Sequence, residues 1–166
     1  MSDLKTLMLR GPRLTLAVAE SLTCGRLQAR IGAISGASEF FLGGVTAYSL
    51  DQKVRHLGVD RAAAKAVNSV SGTVVEQMAR GACVLFGADL GIATTGYAEP
   101  SAKWNVDEPF AWWGLARARP DGSFDTLTGR IDCSGLSRTE VQERAAAAAL
   151  DALVVWISGT PAARTP

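Results

Sequence analysis

Histidine is nearly missing from this sequence: His56 is the single one, which excludes any site built from several imidazoles. Cysteine is also scarce. Cys24, Cys83 and Cys133 are odd in number, far apart and form no CxxC pair, so neither a disulfide framework nor a zinc site is expected. No metal or organic cofactor is called for. Charge of one sign is lacking as well. A formal net charge of +1 leaves no basic footprint for a nucleic acid, although one or two placed cations would still serve a small anionic ligand. No apolar run is long enough to span a membrane, since the longest, Ala145 to Ile157, is short and broken by Asp151. The N-terminus carries an acid at Asp3 and only a brief apolar patch, unlike a signal peptide. Cytoplasmic residence is the expectation by default. Repeats and low-complexity linkers are absent too.

What is present is an ordinary globular composition. Apolar residues make up 48% and charged residues 20% of 166, enough to fill one core and offset chain entropy. One domain over residues 1–158 is expected, with a disordered tail over 159–166.

Leu14 to Val18 is a short apolar run suited to a buried strand, and a helix is plausible from about Thr23 to Ile34. Gly44 to Ser49 has strand character, and a short helix follows from Leu50 to Leu57, stopped by Gly58. Ser71 to Phe86 reads as a helix with capping-box spacing at Thr73 and Glu76, closed by Gly87. Leu90 to Thr94 is a second buried strand. Phe110 to Ala118 and Phe124 to Ile131 flank Asp121-Gly122, a hairpin signal. Ser137 and Glu140 open an alanine-rich helix that runs to about Ile157. This order predicts an α/β fold, a three-layer α/β/α sandwich with a mixed sheet. Ligands in such sheets bind beyond the carboxyl ends of strands, and Ser21, Tyr48 and Thr95 fall at or near such ends.

Each of these residues carries two readings. Ser21, just before a helix, is a cap, or a nucleophile beside free N–H groups that steady an oxyanion. Lys53 is a solvated surface lysine, or a base whose ammonium is made easier to deprotonate by burial. Thr95 is a strand-end hydroxyl tied to backbone, or a group that orients proton transfer. Gly96 behind it permits a tight turn or a close ligand. Tyr48 is a core-edge aromatic, or an orienting hydroxyl. Cys24 is a rival nucleophile at a helix start, with only His56 as a conceivable partner. Arg138 and Arg144 are most simply solvated, though an arginine near a helix start suits a phosphate. Adjacent Trp112 and Trp113 should face opposite sides of their strand, one of them free to line a pocket.

The spaced segments Ala19-Glu20-Ser21, Thr23, Gly25, Gly43-Gly44, Tyr48-Ser49, Lys53, Leu57-Gly58-Val59, Val70-Ser71, Met78-Ala79, Gly81-Ala82, Thr95-Gly96 and Ala98 resemble the CinA C-terminal family. Members of that family are described as nicotinamide mononucleotide deamidases, which convert that nucleotide and water to nicotinate mononucleotide and ammonia. The resemblance implies a sandwich of the anticodon-binding-domain type and amide hydrolysis by a Ser/Lys pair. It implies Ser21, Lys53 and Thr95 as the catalytic trio. It also implies ligand contacts at Tyr48, Thr23, Cys24, Gly25, Gly44, Gly96, Tyr97, Ala98 and Arg138. The implied partner is a small-molecule amide or pyridine nucleotide, and the implied assembly a homo-oligomer. The chain departs from the family pattern at Leu22, Cys24 and Glu108 to Trp113. It departs again at Gln142, where an arginine is expected, and in a shortened N-terminal helix. Tyr97-Ala98-Glu99-Pro100 replaces the usual loop, adding bulk and a negative charge where a phosphate would lie. Two other readings follow: an amidase for a different small amide, or a ligand-binding regulatory relative that keeps the pocket without efficient chemistry.

Overall fold

Residues 4–159 are described in a computed structural model of the chain. Five strands form one mixed sheet in the order β2-β1-β3-β4-β5: β1 (Leu16–Glu20), β2 (Phe41–Thr46), β3 (Leu90–Tyr97), β4 (Phe110–Ala118) and β5 (Phe124–Asp132). Strand β1 runs parallel to both β2 and β3, and the β3–β4 and β4–β5 pairs are antiparallel. Six helices cover the two faces: α1 (Leu4–Leu9), α2 (Arg26–Gly32), α3 (Leu50–Leu57), α4 (Arg61–Ala66), α5 (Gly72–Phe86) and α6 (Arg138–Gly159). The expected three-layer sandwich is what forms.

The two faces of the sheet have different chemistry. All of β1 is buried, and its side chains alternate between layers. Leu16 and Val18 join Leu90, Ile92 and Leu115 under α1, α2 and α6. Ala17 and Ala19 join Ala93 and Ala116 under α5. The α5 side is therefore lined with small residues, and the helix lies close to the strands. A Cβ on Gly91 would sit 2.0 Å from the Ala79 carbonyl oxygen, and one on Gly114 2.7 Å from that of Val75. Gly91→Ala pushes backbone against backbone. We expect it to cost about 3 kcal/mol, the upper part of the overpacking range, and to lower the thermal midpoint by roughly 10 °C. An unchanged midpoint in a melting experiment would mean that α5 slides freely on the sheet.

Several expected elements have different bounds. Strand β1 reaches Glu20, so Ser21 follows the strand directly. Strand β2 ends at Thr46, leaving Tyr48 two residues beyond it. Helix α2 begins at Arg26, because the residues before it are spent on a turn through Cys24 and Gly25, both at positive φ. Helix α5 is capped by Ser71, whose hydroxyl accepts from the Val74 N–H at 3.1 Å, rather than by a Thr73–Glu76 box; Glu76 instead pairs with Arg80. Helix α4 was not expected, and α1 was expected only as the shortened N-terminal helix that the resemblance implies, without bounds. They are six residues each, too short for a clear apolar period, although Asp60 caps α4 by accepting from the Ala63 N–H. The expected disordered tail lies outside the described residues except for Gly159, which closes α6. Among the described residues no helix is long and apolar enough to cross a membrane.

Candidate active site

The carboxyl ends of β1 and β3, the turn after β2 and the start of α3 converge on one cleft. Its cavity of about 410 Å³ is lined by Ser21, Tyr48, Lys53, Thr95, Glu99 and Arg138, among others. Local sequence explains the convergence. Ser49 caps α3 by accepting from the Gln52 N–H, and the first turns of that helix carry Lys53 inward.

Lys53 is not a surface lysine: it is 2% exposed. Its Nζ donates to the Ser69 carbonyl at 3.0 Å and to Thr95 Oγ1 at 3.0 Å, and the Thr95 hydroxyl itself donates to the Ser69 carbonyl at 3.0 Å. These three groups close a small triangle, with no carboxylate bonded to the amine. Burial lowers the Lys53 pKa from the 10.5 of a free lysine to about 8, because the charged form loses its water. A neutral amine here has two hydrogens for the two acceptors and one lone pair left over.

The Ser69 carbonyl is aimed by an unusual piece of backbone. Asn68 and Ser69 both lie at positive φ, 48° and 63°, in the left-handed region that few residues other than glycine adopt. The Asn68 side chain ties this bend to the far wall by donating to the Tyr97 hydroxyl at 2.8 Å. Neither residue was singled out from sequence. The available signal was an Asn-Ser pair just ahead of a helix cap, since Asn tolerates the left-handed region.

Ser21 is 6% exposed and its hydroxyl has no hydrogen-bond partner among the described residues. It does not cap α2. That task falls to Glu20, which is fully buried. The Glu20 carboxylate accepts from the Thr23 hydroxyl at 2.5 Å and from the N–H groups of Gly25, Leu27 and Gln28 at 2.9, 3.1 and 2.9 Å. The helix N-terminus thus has its anion built in. With the Cys24 N–H given to the Ser21 carbonyl and the Arg26 N–H to that of Thr23, every N–H from Cys24 to Gln28 is taken. Of the N–H groups around Thr23 to Gly25 that were expected to face an oxyanion, those of Cys24 and Gly25 are therefore committed, while those of Leu22 and Thr23 join none of these bonds. Gln142, standing where an arginine was expected, is buried and donates to the Leu22 carbonyl at 2.8 Å, fixing the segment after the serine.

Several expected ligand contacts lie elsewhere. The Thr23 hydroxyl is buried between Glu20 and Thr94. Cys24 is an exposed free thiol in the turn, and Gly25 spends its N–H on Glu20. Gly44 sits under the Gln28 side chain, which a Cβ there would approach to 2.6 Å. None of these four residues lines the cavity. His56 bonds Gln52, not Cys24. Trp112 and Trp113 do face opposite layers, and neither reaches the cleft.

Tyr48, Gly96, Tyr97, Ala98 and Arg138 do line it. Gly96 allows β3 to pair tightly with β4, since a Cβ would meet the Phe110 carbonyl oxygen at 2.4 Å. At the rim, Arg138 at the start of α6 donates to Glu99 Oε1 at 2.9 Å and to the Tyr48 hydroxyl at 3.0 Å. Among the described residues no cluster of histidine, cysteine and carboxylate side chains is grouped to hold a metal ion.

A three-layer α/β sandwich whose strand ends and third helix bring a buried lysine, a threonine and a serine unpartnered among the described residues to one open polar cleft defines a class of protein. The chain belongs to the CinA C-terminal domain family, whose model matches residues 2–156. The CinA-like protein of Chlorobium limicola is 40% identical over 145 residues, covering 86% of this chain and 33% of that protein. The CinA-like protein of Mycobacterium tuberculosis is 36% identical over 161 residues, covering 97% of this chain and 36% of that protein. The chain thus spans about a third of the length of the curated relatives it matches. Among solved structures, competence damage-inducible protein A from Klebsiella pneumoniae superimposes with a TM-score of 0.84 at 29% identity, covering 95% of this chain and 94% of that one. A CinA superfamily protein from Enterobacter cloacae gives 0.84 at 28% identity, covering 93% and 88%.

Proposed function

We propose that this cleft hydrolyses the primary carboxamide of a small ligand with Ser21 as nucleophile and Lys53 as base, in the manner of a nicotinamide mononucleotide deamidase. One observation carries the reading: a buried amine with a pKa of about 8 opens onto the same cavity as the Ser21 hydroxyl, which is accessible from the cleft and has no partner among the described residues. Ser21 Oγ attacks the carboxamide carbon while the Lys53 lone pair takes its proton. The Lys53 ammonium returns that proton to the departing nitrogen, and ammonia leaves an acyl-serine. Water, deprotonated by Lys53, then attacks the acyl carbon; the acid is released as the Lys53 ammonium returns that proton to the leaving Ser21 oxygen, restoring both groups. Thr95 and the Ser69 carbonyl hold the amine in place. Because the Thr95 proton is already given to Ser69, Thr95 acts as an orienting group rather than a relay. The Leu22 N–H, next to the nucleophile, is the donor we assign to the oxyanion.

Ammonia release from nicotinamide mononucleotide, its phosphate-free riboside and other primary amides tests this directly. We expect Ser21→Ala to reduce turnover of the accepted amide at least ~1,000-fold. Equal release by wild type and variant would remove Ser21 from the mechanism. A second reading, ligand binding without turnover, is favoured by the fact that neither hydrogen bond of the Lys53 amine goes to Ser21. Calorimetric binding of an amide with no ammonia released would support it.

A further inference from the structure

We infer that Glu99 selects against phosphate at the cleft mouth, so that the favoured ligand is a primary carboxamide carrying no phosphate, with a flat aromatic body and neutral hydroxyls. This rests on the amide reading above and narrows its substrate class.

The charged side chains lining the cavity are Lys53, Glu99 and Arg138. Lys53 lies at the buried base and is committed to Ser69 and Thr95. The outer part of the cavity therefore holds one cation and one anion, and its formal charge is zero. Arg138 is the only one of these that suits an anion at the mouth, and its two terminal nitrogens already serve Glu99 and Tyr48. Two of the five guanidinium N–H donors are thus committed, and a phosphate seeking a two-pronged grip must compete with Glu99 and Tyr48 for the terminal nitrogens.

The strength of the Glu99–Arg138 pair is not what matters. Both side chains are well exposed, 62% and 46%, and such a pair is weak enough for a phosphate to break. Breaking it does not remove the Glu99 carboxylate, whose oxygen lies 2.9 Å from the Arg138 guanidinium in the pair, so a like charge remains beside the place where Arg138 would hold a phosphate. Selection follows from the presence of that charge.

The rest of the lining suits a flat aromatic ring and hydroxyls. Tyr48, Tyr97 and Trp104 bring three aromatic rings to the cavity, and Ser49 and Ser101 bring neutral hydroxyls. Tyr48 and Trp104 are 56% and 44% exposed, with ring surface still available for stacking.

Nicotinamide mononucleotide and nicotinamide riboside share amide, ring and ribose and differ only in the phosphate. Their affinities are measured by calorimetry on the intact chain as wild type, Glu99→Gln and Glu99→Gln/Arg138→Gln. We expect wild type to bind the riboside at least as tightly as the mononucleotide. Glu99→Gln should move the affinity ratio at least tenfold toward the mononucleotide, and the double variant should cancel that gain. A wild type that prefers the mononucleotide tenfold or more overturns the inference. So does a ratio unchanged by Glu99→Gln, or binding of neither compound to any of the three proteins. Ammonia release is followed in parallel. The expected binding preference with no ammonia from either compound removes the amide reading and leaves the charge selection intact. Release with the mononucleotide preferred does the reverse.

Discussion

Lys53→Met is expected to abolish amide turnover while raising the stability of the folded chain near pH 7. The loss of the base should lower kcat by ~100- to 10,000-fold, the usual range for a general base. The stability gain follows from the burial of the amine. The gap between about 8 in the fold and 10.5 when free corresponds to about 3 kcal/mol held against the charged form. Methionine removes that penalty. It also gives up two hydrogen bonds, each worth about 1 kcal/mol, so the net gain is about 1 kcal/mol. The sign depends on pH. Between pH 8 and 10.5 the unfolded chain binds more protons at this site than the folded one, so wild-type stability rises through that window. The variant's advantage is full below pH 8, vanishes at about pH 9 and reverses by about pH 10, because wild type gains about 3 kcal/mol across the window and the variant's lead is only about 1 kcal/mol. Melting curves at pH 7 and pH 10 check both ends. In wild type, kcat/KM should rise with pH through a midpoint near 8, because the base works only when neutral.

Glu20→Gln is expected to cost about 3 kcal/mol and to lower the melting midpoint by roughly 10 °C. The carboxylate accepts from one hydroxyl and three backbone N–H groups, all arriving at a helix start, where negative charge is favoured. A glutamine offers one oxygen in place of two and turns its NH2 toward N–H donors. The turn from β1 to α2 then loosens, and Ser21, its first residue, loses its fixed position. We therefore expect turnover to fall more than the change in folded population explains. Measured at a temperature where both proteins are fully folded, kcat should drop at least tenfold. A variant with normal kcat and a lower midpoint would make Glu20 a stabilising residue only.

Strands and helices with a punctuated end were legible from sequence. Helix α3 has its bounds at Leu50 and Leu57 because Ser49 caps one end and Gly58, at positive φ, closes the other. Strand β4 matches its expected span because Asp121-Gly122 makes the hairpin. The meeting of Ser21, Tyr48 and Thr95 at one cavity was also legible, since strand-end positions in a mixed sheet share an edge, whereas Lys53, on a helix, joined them only through the family resemblance.

What escaped notice depends on tertiary geometry. Nothing local marks Glu20 as a residue that would point into the following helix start, so the N–H groups near Thr23 to Gly25 looked free for an oxyanion. Every residue owns a carbonyl, and only the left-handed bend at Asn68 and Ser69 makes that of Ser69 the acceptor for Lys53. Glu99 and Arg138 are 39 residues apart, and their pairing needs the start of α6 to be set against the loop after β3. Gly44 falls under Gln28 because β2 is flanked by α2, a neighbour that its own sequence does not name.

The claim on which the account depends is that Lys53 carries an amine that loses its proton near neutrality inside the cleft. Titration of the Lys53 side chain by NMR, with the resonance assigned from Lys53→Met, measures this without reference to any substrate. A midpoint near 8 is the predicted result. A midpoint near 10.5, the value of a lysine in free solution, would contradict the account and leave Ser21 without a base.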